Sequence, residues 1–111
     1  MAKSDELKEE WQQRQLLAGF HALSDPLRLK ILNQIHGQEL CVCELTEKLG
    51  IAQSKLSFHL KTLKDAGIIQ ARQDGRWVYY RLRSEQLAYL ENYLRGFAQN
   101  LPPIVVSCCD D

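Results

Sequence analysis

A single change of period near residue 68 constrains this chain more than any other feature. From 41 to 67 the apolar residues recur at helical spacing. From 68 the pattern turns strand-like, as Ile68-Ile69-Gln70-Ala71-Arg72-Gln73 and Arg76-Trp77-Val78-Tyr79-Tyr80-Arg81-Leu82. Asp74-Gly75 between them marks a tight hairpin, because a type I′ turn needs positive φ at both central positions. Upstream, residues 41–49 predict a short helix with Leu45 and Leu49 inward and Gly50 as its stop. Ile51 and Ala52 make a brief turn. Residues 53–65 predict the next helix, with Leu56, Leu60 and Leu63 on one face and Gly67 ending it. Two helices joined by a short turn containing Gly form a helix-turn-helix. Followed by a basic hairpin, it becomes a winged helix. Its second helix enters the DNA major groove, and the hairpin lies along an adjacent groove or the phosphates.

The flanks are helical too. Residues 6–23 place Trp11, Leu16, Phe20 and Leu23 near one face. Ser24-Asp25-Pro26 is a start signal, with Ser24 as cap and Pro26 in the first turn. The helix that follows carries Leu27, Ile31, Leu32 and Ile35, and Gly37 ends it. A last helix begins after a Ser84 cap, with Glu85 favoured by the helix dipole and Leu87, Leu90, Leu94 and Phe97 on one face. Leu101-Pro102-Pro103 cannot continue it. The fold class is therefore mainly α with a two-stranded β-hairpin. One domain spans residues 1–100, and residues 101–111 form a flexible tail. At 111 residues a monomer can build a core, but not a large one, and a dimer would bury more. No apolar run reaches the ~18 residues of a membrane helix. The polar, acidic start Met1-Ala2-Lys3-Ser4-Asp5-Glu6 is no signal peptide, so the expected location is cytoplasmic with no membrane partner.

Net charge is zero, from 14 basic and 14 acidic residues, but it is unevenly spread. Residues 53–83 carry a net +5, against −2 for 1–50 and −3 for 84–111. A neutral protein with one basic third suits a polyanion there, although a solvated face has the same composition. With the leucines of 53–65 inward, Gln53, Ser54, Lys55, Ser57, Phe58, His59, Lys61 and Lys64 are left for the outer face. Gln53, Ser54 and Lys55 lie in the first turn, the end nearest base edges. Gln pairs bidentately with adenine, Ser donates or accepts, and Lys61 suits a phosphate. His59 either bonds a phosphate or base or only supports the helix. Phe58 reads as packing rather than intercalation, and Trp77, Tyr79 and Tyr80 read as hairpin core. Arg72 and Arg76 flank the wing tip and suit phosphates or the minor groove. No Cys-x-x-Cys, phosphate-cradling loop or βαβ pattern supports an enzyme.

The four cysteines form two tight pairs, Cys41/Cys43 and Cys108/Cys109. In a reducing compartment, metal, metalloid or redox chemistry explains them better than a structural disulfide. On a regular helix, residues i and i+2 point ~200° apart and their sulfurs do not converge. Cys41 at a cap position escapes that geometry, and a helix N-terminus favours thiolate. A soft ion captured by both would twist or unwind the turn beside the reading helix. The alternative is two small, partly buried, inert residues.

The runs Ala22-Leu23-Ser24-Asp25-Pro26-Leu27-Arg28, Glu39-Leu40-Cys41-Val42-Cys43-Glu44-Leu45, Gln53-Ser54-Lys55-Leu56-Ser57-Phe58-His59-Leu60 and Asp74-Gly75-Arg76-Trp77-Val78-Tyr79-Tyr80-Arg81-Leu82 resemble the ArsR/SmtB family of metal-sensing repressors. The resemblance covers residues 15–100 and is nearest the arsenical-responsive branch. It implies a homodimer formed by the first and last helices, with the two reading helices on a palindromic operator. It also implies repression of an arsenic-resistance operon, relieved when trivalent arsenic or antimony, methylarsenite included, binds cysteine thiolates. Cys41 and Cys43 match the inducer ligands, and Gln53, Ser54, Ser57 and His59 match the reading motif. The arsenite-responsive pattern often has a third cysteine where this chain has Thr46. Cys108 or Cys109 of either subunit could supply that ligand, exogenous thiol could, or two thiolates could suffice. The last-helix zinc site of some relatives needs Asp and His, and residues 84–100 contain neither. The alternatives are a cadmium- or lead-responsive repressor, which would need both cysteine pairs, and a thiol redox sensor.

Overall fold

The apolar spacing that predicts five helices is realised in a computed structural model that describes residues 2–99 and 101–104. The elements are α1 (Ala2–Leu23), α2 (Pro26–Ile35), β1 (Leu40–Cys41), α3 (Val42–Leu49), α4 (Gln53–Asp65), β2 (Ile69–Asp74), β3 (Trp77–Leu82) and α5 (Ser84–Ala98). α3 and α4 form the helix-turn-helix, and β2 with β3 forms the wing. Ile31 and Ile35 of α2, Leu45 of α3, and Leu56, Leu60 and Leu63 of α4 meet Ile68, Ile69 and Leu90 in one core. The same leucines that give α4 its period thus fix which face it turns outward. α5 lies against α1, with Leu90 packed over Gly19. A Cβ there would stand 2.9 Å from a Leu90 methyl.

Four local expectations shift. α2 is capped by Asp25, not Ser24. The Asp25 carboxylate accepts the amides of Leu27 (2.9 Å) and Arg28 (3.0 Å). The Ser24 hydroxyl instead donates to the carbonyl of His21 at the end of α1. Similarly, Ser84 is the first residue of α5, and Arg83 holds the cap position with no side-chain bond to the helix amides. In the hairpin, Asp74 is paired with Trp77, so the two-residue loop is Gly75-Arg76. Gly75 takes φ +62°, as the first position of either primed turn requires. Finally, the wing gains a third strand. Leu40 and Cys41 pair antiparallel with Tyr80 and Tyr79, giving the order β1-β3-β2. Leu101–Ile104 carry no regular structure, and Cys108 and Cys109 lie outside the described residues.

Candidate nucleic-acid interface and thiol site

A buried polar knot sets the pose of α4. Arg28 on α2 is 7% exposed, and it occupies the same face as Ile31 and Ile35. Its Nε donates to the carbonyl of Ala22 at 2.7 Å, and its Nη1 donates to Nδ1 of His59 at 3.2 Å. A longer bond reaches the carbonyl of His21 at 3.4 Å. A guanidinium has no lone pair to offer, so His59 Nδ1 is the acceptor. One side chain therefore satisfies the end of α1 and grips α4. Asp25 stands 3.9 Å from the same ring nitrogen. The Arg28 amide, above all, holds the Asp25 carboxyl below its ordinary value, and the Leu27 amide adds to this. His59, expected on the outer face, is instead 8% exposed and turned inward, because positions 56, 59, 60 and 63 form one face of α4.

The opposite face of α4 is open. Gln53, Ser54, Lys55, Ser57, Lys61 and Lys64 are all exposed. Phe58 is 65% exposed and makes an edge contact with the His59 ring, so the expected packing role is not what the structure shows. Lys61 pairs with Asp65 at 2.8 Å, one helical turn on. On the wing, Arg76 sits at the tip and makes no ion pair among the described residues. Arg72 is already engaged. Its Nε and Nη2 bond both carboxylate oxygens of Glu39 at 2.8–3.2 Å, and its guanidinium lies 5.0 Å from the centre of the Tyr79 ring. Asp74 adds a second carboxylate at 3.7 Å. The Arg72 bond holds the Glu39 carboxyl below its usual value, and Glu39 in return keeps Arg72 more firmly protonated. Tyr80 packs against the core, whereas Trp77 stays largely exposed.

The thiols flank the start of α3. Cys41 is its N-cap, with extended backbone (φ −85°, ψ 168°), and is buried. Cys43, two residues on, is exposed. The Glu44 carboxylate accepts the Cys41 amide at 3.0 Å, and the amide and then the thiol of Cys41 lower its pKa. Thr46 turns its hydroxyl onto the carbonyl of Cys43 at 2.8 Å. Among the described residues, no three His, Cys, Asp or Glu side chains gather as a metal-ligand cluster. The donor set there is two thiols, one of them outside regular helical geometry.

A third surface is apolar. Leu7, Trp11 and Leu17 of α1 and Tyr93, Leu94 and Phe97 of α5 are exposed. Phe20, Tyr93 and Phe97 run as an aromatic seam, with ring centres 6.1 and 5.1 Å apart. Of the residues expected on one face of the last helix, Leu90 is buried in the core, while Leu94 and Phe97 are exposed.

Sequence reasoning missed Arg28, Glu39 and Glu44. Arg28 had a usable signal, because it shares the i, i+3, i+7 face of Ile31 and Ile35 and is the only charge there. Glu44 completes a capping arrangement three residues after Cys41. Glu39 had none, since its partner is 33 residues away across the sheet.

Residues 25–71 match the model of the bacterial regulatory protein family arsR. The chain is 44% identical over 78 residues to the arsenic resistance transcriptional regulator ArsR1 of Pseudomonas putida, covering 69% of this chain and 61% of that one. It is 35% identical over 90 residues to a transcriptional repressor SmtB homolog of Synechocystis, covering 81% and 66%. It is 40% identical over 72 residues to the arsenical resistance operon repressor of Staphylococcus xylosus, covering 65% and 69%. The match thus spans less than two thirds of the first two relatives. Among solved structures, HlyU from Vibrio cholerae is similar at TM-score 0.63 and 32% identity, covering 78% of this chain and 96% of that one. The homodimeric winged helix-turn-helix DNA-binding domain Mb0332 from Mycobacterium bovis is similar at TM-score 0.69 and 27% identity, covering 82% and 84%. No helix among the described residues is long and apolar enough to cross a membrane.

Proposed function

Because this chain belongs to the ArsR family of bacterial regulatory proteins, we propose that it is the DNA-binding repressor of an arsenic-resistance operon. Two copies join through the apolar faces of α1 and α5 and present both α4 helices to a palindromic operator. Gln53, Ser54 and Ser57 read base edges. Lys55, Lys61 and the wing tip at Arg76 contact phosphates, while His59 holds α4 in place through Arg28. Trivalent arsenic or antimony captured by Cys41 and Cys43 releases the DNA.

The observation that carries this reading is the placement of Cys41. Cys41 is the N-cap residue of α3, its amide held by Glu44, and α3 packs directly against α4. Arsenous acid condenses with two thiols to a dithiolate, exchanging two As–O bonds for two As–S bonds and releasing two waters. A third bond stays with hydroxide, with a methyl group in methylarsenite, or passes to Cys108 or Cys109. Drawing the two sulfurs onto one atom distorts the first turn of α3, because Cys41 is buried at the cap while Cys43 faces outward. α4 then loses its pose. A second reading, a cadmium or lead sensor, draws on the SmtB-named relative and on the two-thiol donor set, since a divalent ion would recruit the tail thiols as well.

The test is release of a labelled duplex selected from a random DNA pool, followed by fluorescence anisotropy under anaerobic reducing conditions. Arsenite, methylarsenite, antimonite, cadmium and lead are titrated against wild type and Cys108→Ser/Cys109→Ser. Release by trivalent arsenicals and antimonite supports the proposal. Release by cadmium or lead alone moves the protein to the second reading. Release only by a thiol oxidant overturns both.

A further inference from the structure

The Glu39–Arg72 pair spans the sheet from the thiol site to the wing, and we propose that Glu39 is the positioning residue that carries ion capture at Cys41 and Cys43 to the wing. The inference rests on the reading of those thiols as the inducer's ligands. Cys41, Tyr79 and Arg72 are register partners across β1, β3 and β2. Directly paired residues point to one face of a sheet, and Glu39, two residues before Cys41, shares that face. The Arg72 guanidinium crosses over the Tyr79 ring and takes both oxygens of Glu39. This pair bridges over the central strand, so the segment entering α3 is tied to the far strand of the wing.

β1 itself is only two residues long. So short a ladder holds weakly alone, and the ion pair supplies its second anchor. Capture by both thiols must change the backbone at Cys41, because its extended cap conformation belongs to β1 and to the start of α3 together. Glu39 is then drawn off Arg72, and the hairpin carrying Arg76 loses the tie that fixes its angle to α4. Wing and reading helix would leave the DNA in one step. Arg72 is accordingly a strut in the free protein rather than an open phosphate ligand, since two carboxylates already surround it.

Linkage is reciprocal, so a change at the wing must also be felt at the thiol. That makes a test possible without any metalloid. In a Cys43→Ser/Cys108→Ser/Cys109→Ser protein, Cys41 is the one remaining thiol. Its alkylation by N-ethylmaleimide is timed in this parent, in Glu39→Ala, in Arg72→Ala, and in Arg72→Lys, which keeps the charge but not the fork. Each alanine change should speed alkylation by at least about threefold, and Arg72→Lys should fall between Arg72→Ala and the parent. Alanine variants that react at the parent rate overturn the proposal. So does an Arg72→Lys protein as fast as Arg72→Ala, which would mean general loosening. In the four-cysteine protein, Glu39→Ala should cut the arsenite-induced ratio of DNA affinities by at least about fivefold. An unchanged ratio overturns the proposal too. If arsenite releases no DNA from wild type, the functional reading fails, and the alkylation rates still decide whether wing and thiol are joined.

Discussion

Arg28→Met separates the buried knot from the apolar core around it. Methionine keeps an unbranched stem of similar reach, so little cavity forms. What disappears is the pair of good bonds, at 2.7 Å to the carbonyl of Ala22 and 3.2 Å to His59. Two buried acceptors lose their partner, each at about 1–3 kcal/mol. Relief from burying a guanidinium offsets part of this. The expected net loss is about 2–3 kcal/mol, which lowers Tm by roughly 10–20 °C in a domain of this size. Lysine at position 28 can satisfy only part of the fork and should fall between the two. The assay is thermal unfolding by circular dichroism at one fixed protein concentration, since Tm of a dimer depends on concentration. A Met variant that melts within about 3 °C of wild type, or a Lys variant equal to it, would refute the knot.

Other outcomes follow from the exposed surfaces and the caps. Phe97→Glu puts a charge on the apolar face of α5; sedimentation velocity should then show the 12.8 kDa chain alone, with operator affinity down at least about tenfold because the half-sites are no longer held together. Gln53→Ala should cost about 1–3 kcal/mol at one operator position and relax preference there, whereas Lys55→Ala should weaken all sequences and reduce the salt slope by about 1. A competition assay over single-base operator variants and a salt titration distinguish the two. Asp25 has a folded pKa below its ordinary 3.8, so its contribution is complete above that value and is lost as pH falls through the lowered one. Asp25→Asn keeps a capping oxygen and removes the titration. Its Tm should therefore fall less steeply than wild type below about pH 4, and parallel curves would contradict the cap assignment.

Much of the fold was legible because its signals are local. Leu56, Leu60 and Leu63 fix both the period and the inward face of α4, and its bounds agree with the sequence reading. The strand pair was legible from Asp74-Gly75, but its register slipped by one because Asp74 still pairs with Trp77. Ser24 and Asp25 are both good cap residues, and only the fold decides which one faces the first turn of α2. β1 has two residues and no period to detect. The site divides the same way. The outer residues of α4 and the Cys41 cap follow from helix geometry. His59 belongs to the buried face of α4, and its partner there, Arg28, is 31 residues away. The Glu39–Arg72 tie likewise depends on long-range placement, and helical period alone does not tell that Leu94 and Phe97 are exposed while Leu90 is buried.

In the proposed mechanism, Cys41 and Cys43 convert ion capture into loss of DNA. Its most direct test is a Cys41→Ser/Cys43→Ser protein on the selected duplex, with arsenite titrated under anaerobic reducing conditions beside wild type. Serine is nearly isosteric but makes no As–S bond, so the variant should bind DNA with about wild-type affinity and stay bound at arsenite concentrations that free the wild type. Release of the variant at the same arsenite concentration would mean that Cys41 and Cys43 are not the inducer's ligands.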